Sequence, residues 1–182
     1  MRIIEQPIKD LYIIEPISFN DFRGKLIKEF NFKEINKFYK FDVRMCYTSV
    51  NLKKGTLRGF HYQVKSSKEA KIISVSVGKI LNIVLDLRPK SKTFLRFLKF
   101  NLDNINQKKL LVPKGCANLF ITQKNNTIVN YLSSNYYSEK NQRGIKYNDK
   151  YFNFHKFLEP IIISEKDKKW DNFNLKKHLK DF

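Results

Sequence analysis

The 182-residue chain is 42% hydrophobic and 14% aromatic, which is ample for one packed core and too little for two comfortable domains. Its formal net charge of +19 alone would favour an anionic partner, but the lysines are scattered in pairs such as Lys53-Lys54, Lys108-Lys109 and Lys176-Lys177, with no basic block or basic amphipathic helix, so nucleic acid is not expected. No apolar run approaches the roughly 20 residues of a membrane helix, and the opening MRIIEQPIKD lacks the apolar core of a signal peptide, so a cytoplasmic protein without membrane contact is expected.

Along the chain, helical character is first expected near Phe32 to Tyr39, and then short strand-like runs follow one another. These are Val43 to Val50, Lys71 to Val77, Lys79 to Asp86, Leu95 to Asn101, Lys109 to Val112, Leu119 to Gln123 and Thr127 to Ser133. Gly78-Lys79 and Lys124-Asn125-Asn126 suit hairpin connections, and Pro89-Lys90-Ser91 breaks the chain after Asp86-Leu87-Arg88. The second helical stretch runs from Glu165 to the C-terminus. The pattern predicts one mainly β domain over residues 1–182, a jelly roll or related barrel with a ligand at its mouth and a tail from about residue 150. Cys46 and Cys116, isolated in strand-like surroundings, are expected to be buried free thiols in a reducing compartment.

The segment GTLRGFHYQVKSSKEAKIISVSVGKILNIVLDLR, from Gly55 to Arg88, carries the chemistry. In Lys71 to Val77, Lys71 shares one strand face with Ile73, Val75 and Val77, and Ser74 and Ser76 lie on the other. A lysine on the inward face needs compensation from a carboxylate, a phosphate or a developing oxyanion, or it snorkels past the strand end. His61 is either a hydrogen-bonded structural histidine or a base; His155 and His178 lie in tail-like segments and are expected at the surface. A histidine-held metal site would want a second histidine where Gln63 stands, and a PxGxxH motif would end in histidine where this chain has Asn118, so no transition metal is expected.

FNDFRG (Phe19 to Gly24), GTLRGFHYQ, VGKILNIVLDLR, LLVPKGCANLF and YYSEKNQRGIKYND occur in this order. Together they resemble the dTDP-4-dehydrorhamnose 3,5-epimerase family, from near the N-terminus to Asp167 in SEKD. The resemblance implies a cupin double-stranded β-helix, a homodimer without cofactor, and inversion of carbons beside the 4-keto group of a nucleotide-linked sugar. It casts His61 as the base, Asp167 as the carboxylate that fixes its tautomer, Lys71 as the cation near the enolate oxygen and Tyr131 as the acid on the opposite face. On the residues alone, Tyr131 could equally be a strand aromatic packed beside Val129. By the same resemblance Arg58 serves the oxyanion or the diphosphate, Tyr137 lies against the base, and Arg23 faces the diphosphate across the dimer interface, where a guanidinium offers a bidentate fork.

The departures from the family pattern fall outside the proton-transfer set. Lys28 stands where the thymidine-linked enzymes usually carry glutamate, Cys46 and Thr48 replace a Q-x-N pair, and Asn118 replaces the histidine of GFAHGF. These changes put thymidine recognition in question and favour a related branch acting on GDP-linked 4-keto heptoses in capsular polysaccharide synthesis, with dTDP-4-keto-6-deoxyglucose as the alternative substrate. A noncatalytic sugar-nucleotide-binding cupin, a keto-isomerase of the same fold and a nucleic-acid-binding barrel are the rival classes.

Overall fold

The computed structural model describes residues 1–182, except for the side chain of His155, so the surface placement expected for that histidine lies outside the described residues. The elements in chain order are β1 (Arg2–Glu5), β2 (Tyr12–Glu15), β3 (Ile17–Asp21), β4 (Gly24–Lys28), α1 (Phe32–Ile35), β5 (Met45–Asn51), β6 (Thr56–Gln63), β7 (Lys71–Val77) and β8 (Lys79–Asp86). They continue with β9 (Phe97–Asp103), β10 (Lys109–Val112), β11 (Cys116–Thr122), β12 (Thr127–Ser133), β13 (Gln142–Gly144), β14 (Ile162–Ile163), α2 (Glu165–Lys168) and α3 (Leu175–Asp181). No helix is long and apolar enough to cross a membrane.

Two sheets face each other, one ordered β1-β2-β10-β7-β12-β5 and the other β13-β6-β11-β8-β9, with β14 added parallel to β6. This is the jelly roll expected from the spacing of strands. Alternation places Ile73 and Val75 of β7, Val129 of β12 and Ile13 of β2 in the core between the sheets, against Val84 of β8, Leu102 of β9 and Phe120 of β11. The outer faces are covered differently. Ile35 and Phe41, from the segment of α1, pack on Tyr12, Ile72 and Leu111. Phe152, Phe154 and Leu158, from the tail, pack on Leu57, Ile83 and Leu119.

Four sequence expectations need correction. Gly78 and residues 124–126 are not hairpin turns, because β7 and β8, like β11 and β12, lie in different sheets; each link crosses from one layer to the other. Helix α1 ends at Ile35, and the chain continues to Tyr39 in turns. Cys46 is exposed, because β5 is a sheet edge whose outward residues have no cover. His178 is buried, its Nε2 2.7 Å from the carbonyl of Leu87, because α3 folds back on the second sheet and sets the ring between Phe173 and Phe182. Cys116 is a buried free thiol, as expected.

Strands β3 and β4 pair only with each other. Their ribbon holds Ile17, Phe19, Phe22 and Leu26 in solvent, with Phe22 98% exposed.

Candidate active site

His61 is placed by the close approach of two strands. It sits opposite Asn118 in the β6–β11 register, which shifts between Asn118 and Phe120. A Cβ on Gly59 would lie 2.5 Å from the Asn118 carbonyl oxygen, and Gly59 has a φ of +118°, so only glycine fits two residues before the histidine. The ring then meets a carboxylate from the other end of the chain. Ser164 caps α2 by accepting the N–H of Asp167, and this turn brings Asp167 Oδ1 within 2.6 Å of His61 Nε2.

Asp167 is almost fully buried and accepts two further bonds, from the Gly59 N–H to Oδ2 at 3.3 Å and from the Trp170 indole N–H to Oδ1 at 3.2 Å. Burial pushes its carboxyl up, but the hydrogen bond and charge of His61 outweigh this and hold it below the usual carboxylate range. The anion therefore accepts from Nε2–H, which leaves Nδ1 as the imidazole nitrogen with the free lone pair.

Lys71, on the facing sheet, is compensated by a carboxylate, one of the alternatives that the strand pattern left open. Its Nζ lies 2.9 Å from Glu69 Oε1, with both side chains largely buried. The other oxygen of Glu69 accepts from the Ser133 hydroxyl at 2.5 Å. Burial disfavours the Lys71 charge, yet Glu69 and the Tyr47 hydroxyl outweigh burial and raise its pKa above that of an ordinary lysine. Tyr131 is the cross-strand partner of Tyr47, and their rings stack at 4.9 Å. Burial, with Tyr47 beside it, pushes the Tyr131 phenol far up.

These groups converge on two contiguous hollows of about 360 Å³ each. Tyr47, His61 and Lys71 line both, Arg58, Asn118 and Tyr131 line one, and Glu69, Tyr137 and Gln142 the other. Their sizes suit a small ligand. Arg58 donates to Asn51 Oδ1 at 2.9 Å, and Asn118 accepts from Asn82 at 2.9 Å. Tyr137 is half exposed and donates to Gln142. Its loop is held by Gln63, which donates to the Tyr136 carbonyl and accepts from the Ser138 N–H.

The remaining sequence candidates lie elsewhere. Thr48 touches the rim of the cavity, but its hydroxyl bonds Asn130 on the outer sheet face. Cys46 lines a separate hollow on that face. Arg23 and Lys28 are on the exposed ribbon, Arg23 paired with Asp21 and Lys28 over the Phe19 ring.

Among the described residues no three His, Cys, Asp or Glu side chains gather as a metal set. Gln63 and Asn118 are engaged in the bonds above. Glu69, Tyr47 and Trp170 escape sequence reasoning. Glu69 alone had a usable signal, since it lies two residues before Lys71 and so shares its face in extended chain.

The dTDP-4-dehydrorhamnose 3,5-epimerase family model matches residues 5–174. The dTDP-4-dehydrorhamnose 3,5-epimerase of Shigella flexneri is 31% identical over 168 residues, 92% of this chain and 93% of that protein. The crystal structure of the Bacillus anthracis dTDP-4-dehydrorhamnose 3,5-epimerase with TDP and PPi bound is similar, with a TM-score of 0.90 at 32% identity, covering 94% of this chain and 99% of that one. So is the Legionella pneumophila dTDP-6-deoxy-D-glucose-3,5-epimerase in complex with dTDP-4-keto-L-rhamnose, with a TM-score of 0.88 at 29% identity, covering 96% and 93%.

Proposed function

From the premise that this chain belongs to the dTDP-4-dehydrorhamnose 3,5-epimerase family, we propose that it inverts C3 and C5 of dTDP-4-keto-6-deoxyglucose through enolate intermediates. It is an isomerase of the sugar-epimerase type. The observation that carries the mechanism is the opposition of His61 on one sheet, backed by Asp167 of α2, to Lys71 and Tyr131 on the other sheet, across one cavity. His61 Nδ1 removes the proton beside the ketone while Asp167 stabilises the imidazolium. Lys71 faces the oxygen where negative charge grows. Tyr131 returns a proton from the opposite side, its raised pKa keeping it protonated until then. None of these steps calls on a cofactor.

The guanosine-linked heptose expected from Lys28, Cys46, Thr48 and Asn118 gives way to the thymidine-linked sugar. The similar proteins carry thymidine-linked names, and three of the four departures lie away from the hollows or point off them. Capsule synthesis, which went with the heptose, recedes with it. A homodimer completes the picture. The apolar ribbon β3–β4 suits burial against a second copy, which would carry Arg23 toward the partner's cavity. A charged nucleotide sugar as substrate fits a cytoplasmic location.

Incubation with dTDP-4-keto-6-deoxyglucose in D2O, followed by NMR, tests the function. Deuterium should enter at C3 and C5, faster than into a GDP-linked 4-keto heptose. No exchange in folded protein would favour a noncatalytic sugar-nucleotide binder, and exchange at one carbon would rule out double inversion.

A further inference from the structure

We propose that Trp170 is a positioning residue for the His61–Asp167 pair, holding the carboxylate through its indole N–H and walling the imidazole from the side of β13. This role rests on the epimerase reading. Two independent contacts support it. The indole N–H and His61 Nε2 share one oxygen, Asp167 Oδ1, at 3.2 and 2.6 Å. The ring also occupies the place of a missing side chain: Gly144 is the cross-strand partner of His61, and a Cβ there would fall 2.2 Å from the Trp170 ring. The indole and imidazole rings meet edge to face with centroids 6.3 Å apart.

A second donor on Oδ1 draws off part of the charge that the imidazolium would otherwise feel. His61 is therefore held in orientation yet bound less tightly when protonated, which suits a base that must also release its proton. On the cavity side the charged and titratable neighbours are Arg58, Tyr47, Tyr131 and the Lys71–Glu69 pair. On the tail side Lys166 lies 5.9 Å over the indole, and the Arg143–Asp181 and Lys177–Asp171 ion pairs and His178 line a cleft of about 80 Å³ with Trp170. His178 is the other histidine near the ring, and burial lowers its pKa below that of an ordinary histidine.

The chain has one tryptophan, so intrinsic fluorescence reads this ring without any substrate. Titration of the substrate-free protein between about pH 5 and 8, the range in which histidine charge changes, should show a transition that disappears in His61→Asn. A flat titration, or a transition kept in His61→Asn and so owed to His178, would overturn the coupling. Trp170→Phe keeps a ring and removes the N–H. Its kcat should fall roughly two- to tenfold, the worth of one hydrogen bond, with KM unchanged and the acidic limb of the pH profile moved to higher pH. A profile superimposable on the wild type would overturn the positioning role. If the wild type epimerises nothing, the functional reading fails, and the fluorescence titration still decides whether Trp170 senses His61.

Discussion

The two walls of the cavity both set a carboxylate beside a basic side chain, but they obtain it from different distances. On the β6 wall His61 meets Asp167, 106 residues along the chain, and the carboxylate is fixed by Gly59 and Trp170 as well. On the β7 wall Lys71 meets Glu69, two residues before it and anchored to Ser133. The first arrangement fixes one proton on one nitrogen and depends on the docked tail. The second maintains a charge and is built within the sandwich. Removing the tail's contribution should therefore disable proton transfer while leaving the cation wall in place.

The sharpest break of this comparison is His61→Asn, which should lower deuterium wash-in by at least about a hundredfold, the scale of a positioned general base. The variant should still bind dTDP, measured by calorimetry, because the other wall is intact. Unchanged exchange in the folded variant would remove His61 as the base.

Glu69→Gln tests the opposite wall and should do less at neutral pH. With its counter-charge gone, only Tyr47 is left to offset the burial of Lys71, so its raised pKa should fall. The alkaline limb of kcat should then move down by about one pH unit or more. An unmoved limb would mean that Glu69 does not govern the charge on Lys71.

Stability separates the walls more gently. The Asp167 carboxyl is held below its ordinary value, so its charge stabilises the fold above about pH 4 and that contribution fades as pH falls through the lower folded value. Urea denaturation should show Asp167→Asn well below the wild type at neutral pH and closer to it in acid. A gap independent of pH would assign the loss to packing. The smallest effect is expected from EDTA dialysis, which should leave activity unchanged. Loss of stoichiometric transition metal together with activity would contradict a metal-free site.

Strands β7, β8, β10 and β12 have the bounds expected from their apolar runs, with clean alternation only in β12 and both faces buried in β10. Strands β1 to β4 escape that reading, since they are short and the ribbon has no buried face to produce the pattern. Turn chemistry at Gly78 shows that the chain bends but carries no information about which sheet follows, hence the mistaken hairpins. His61, Lys71, Asp167, Arg58, Asn118, Tyr131 and Tyr137 can be named from sequence and do share one region. Trp170 cannot, because its place depends on Gly144 and a tail that folds back across the sheet.

The crossings between sheets at Gly78 and at residues 124–126 bear on how the molecule comes to exist. Few strands pair with their neighbours in sequence, and β5 must wait for β12, with Tyr47 opposite Tyr131. So high a share of distant pairings predicts slow folding, in the range of milliseconds to seconds or longer. During synthesis the Lys71 wall cannot close until residue 133 has emerged, and His61 gains its carboxylate later still. A nascent chain halted between those points would hold its cation in place with an incomplete base, while edges such as β5 lay open to other chains.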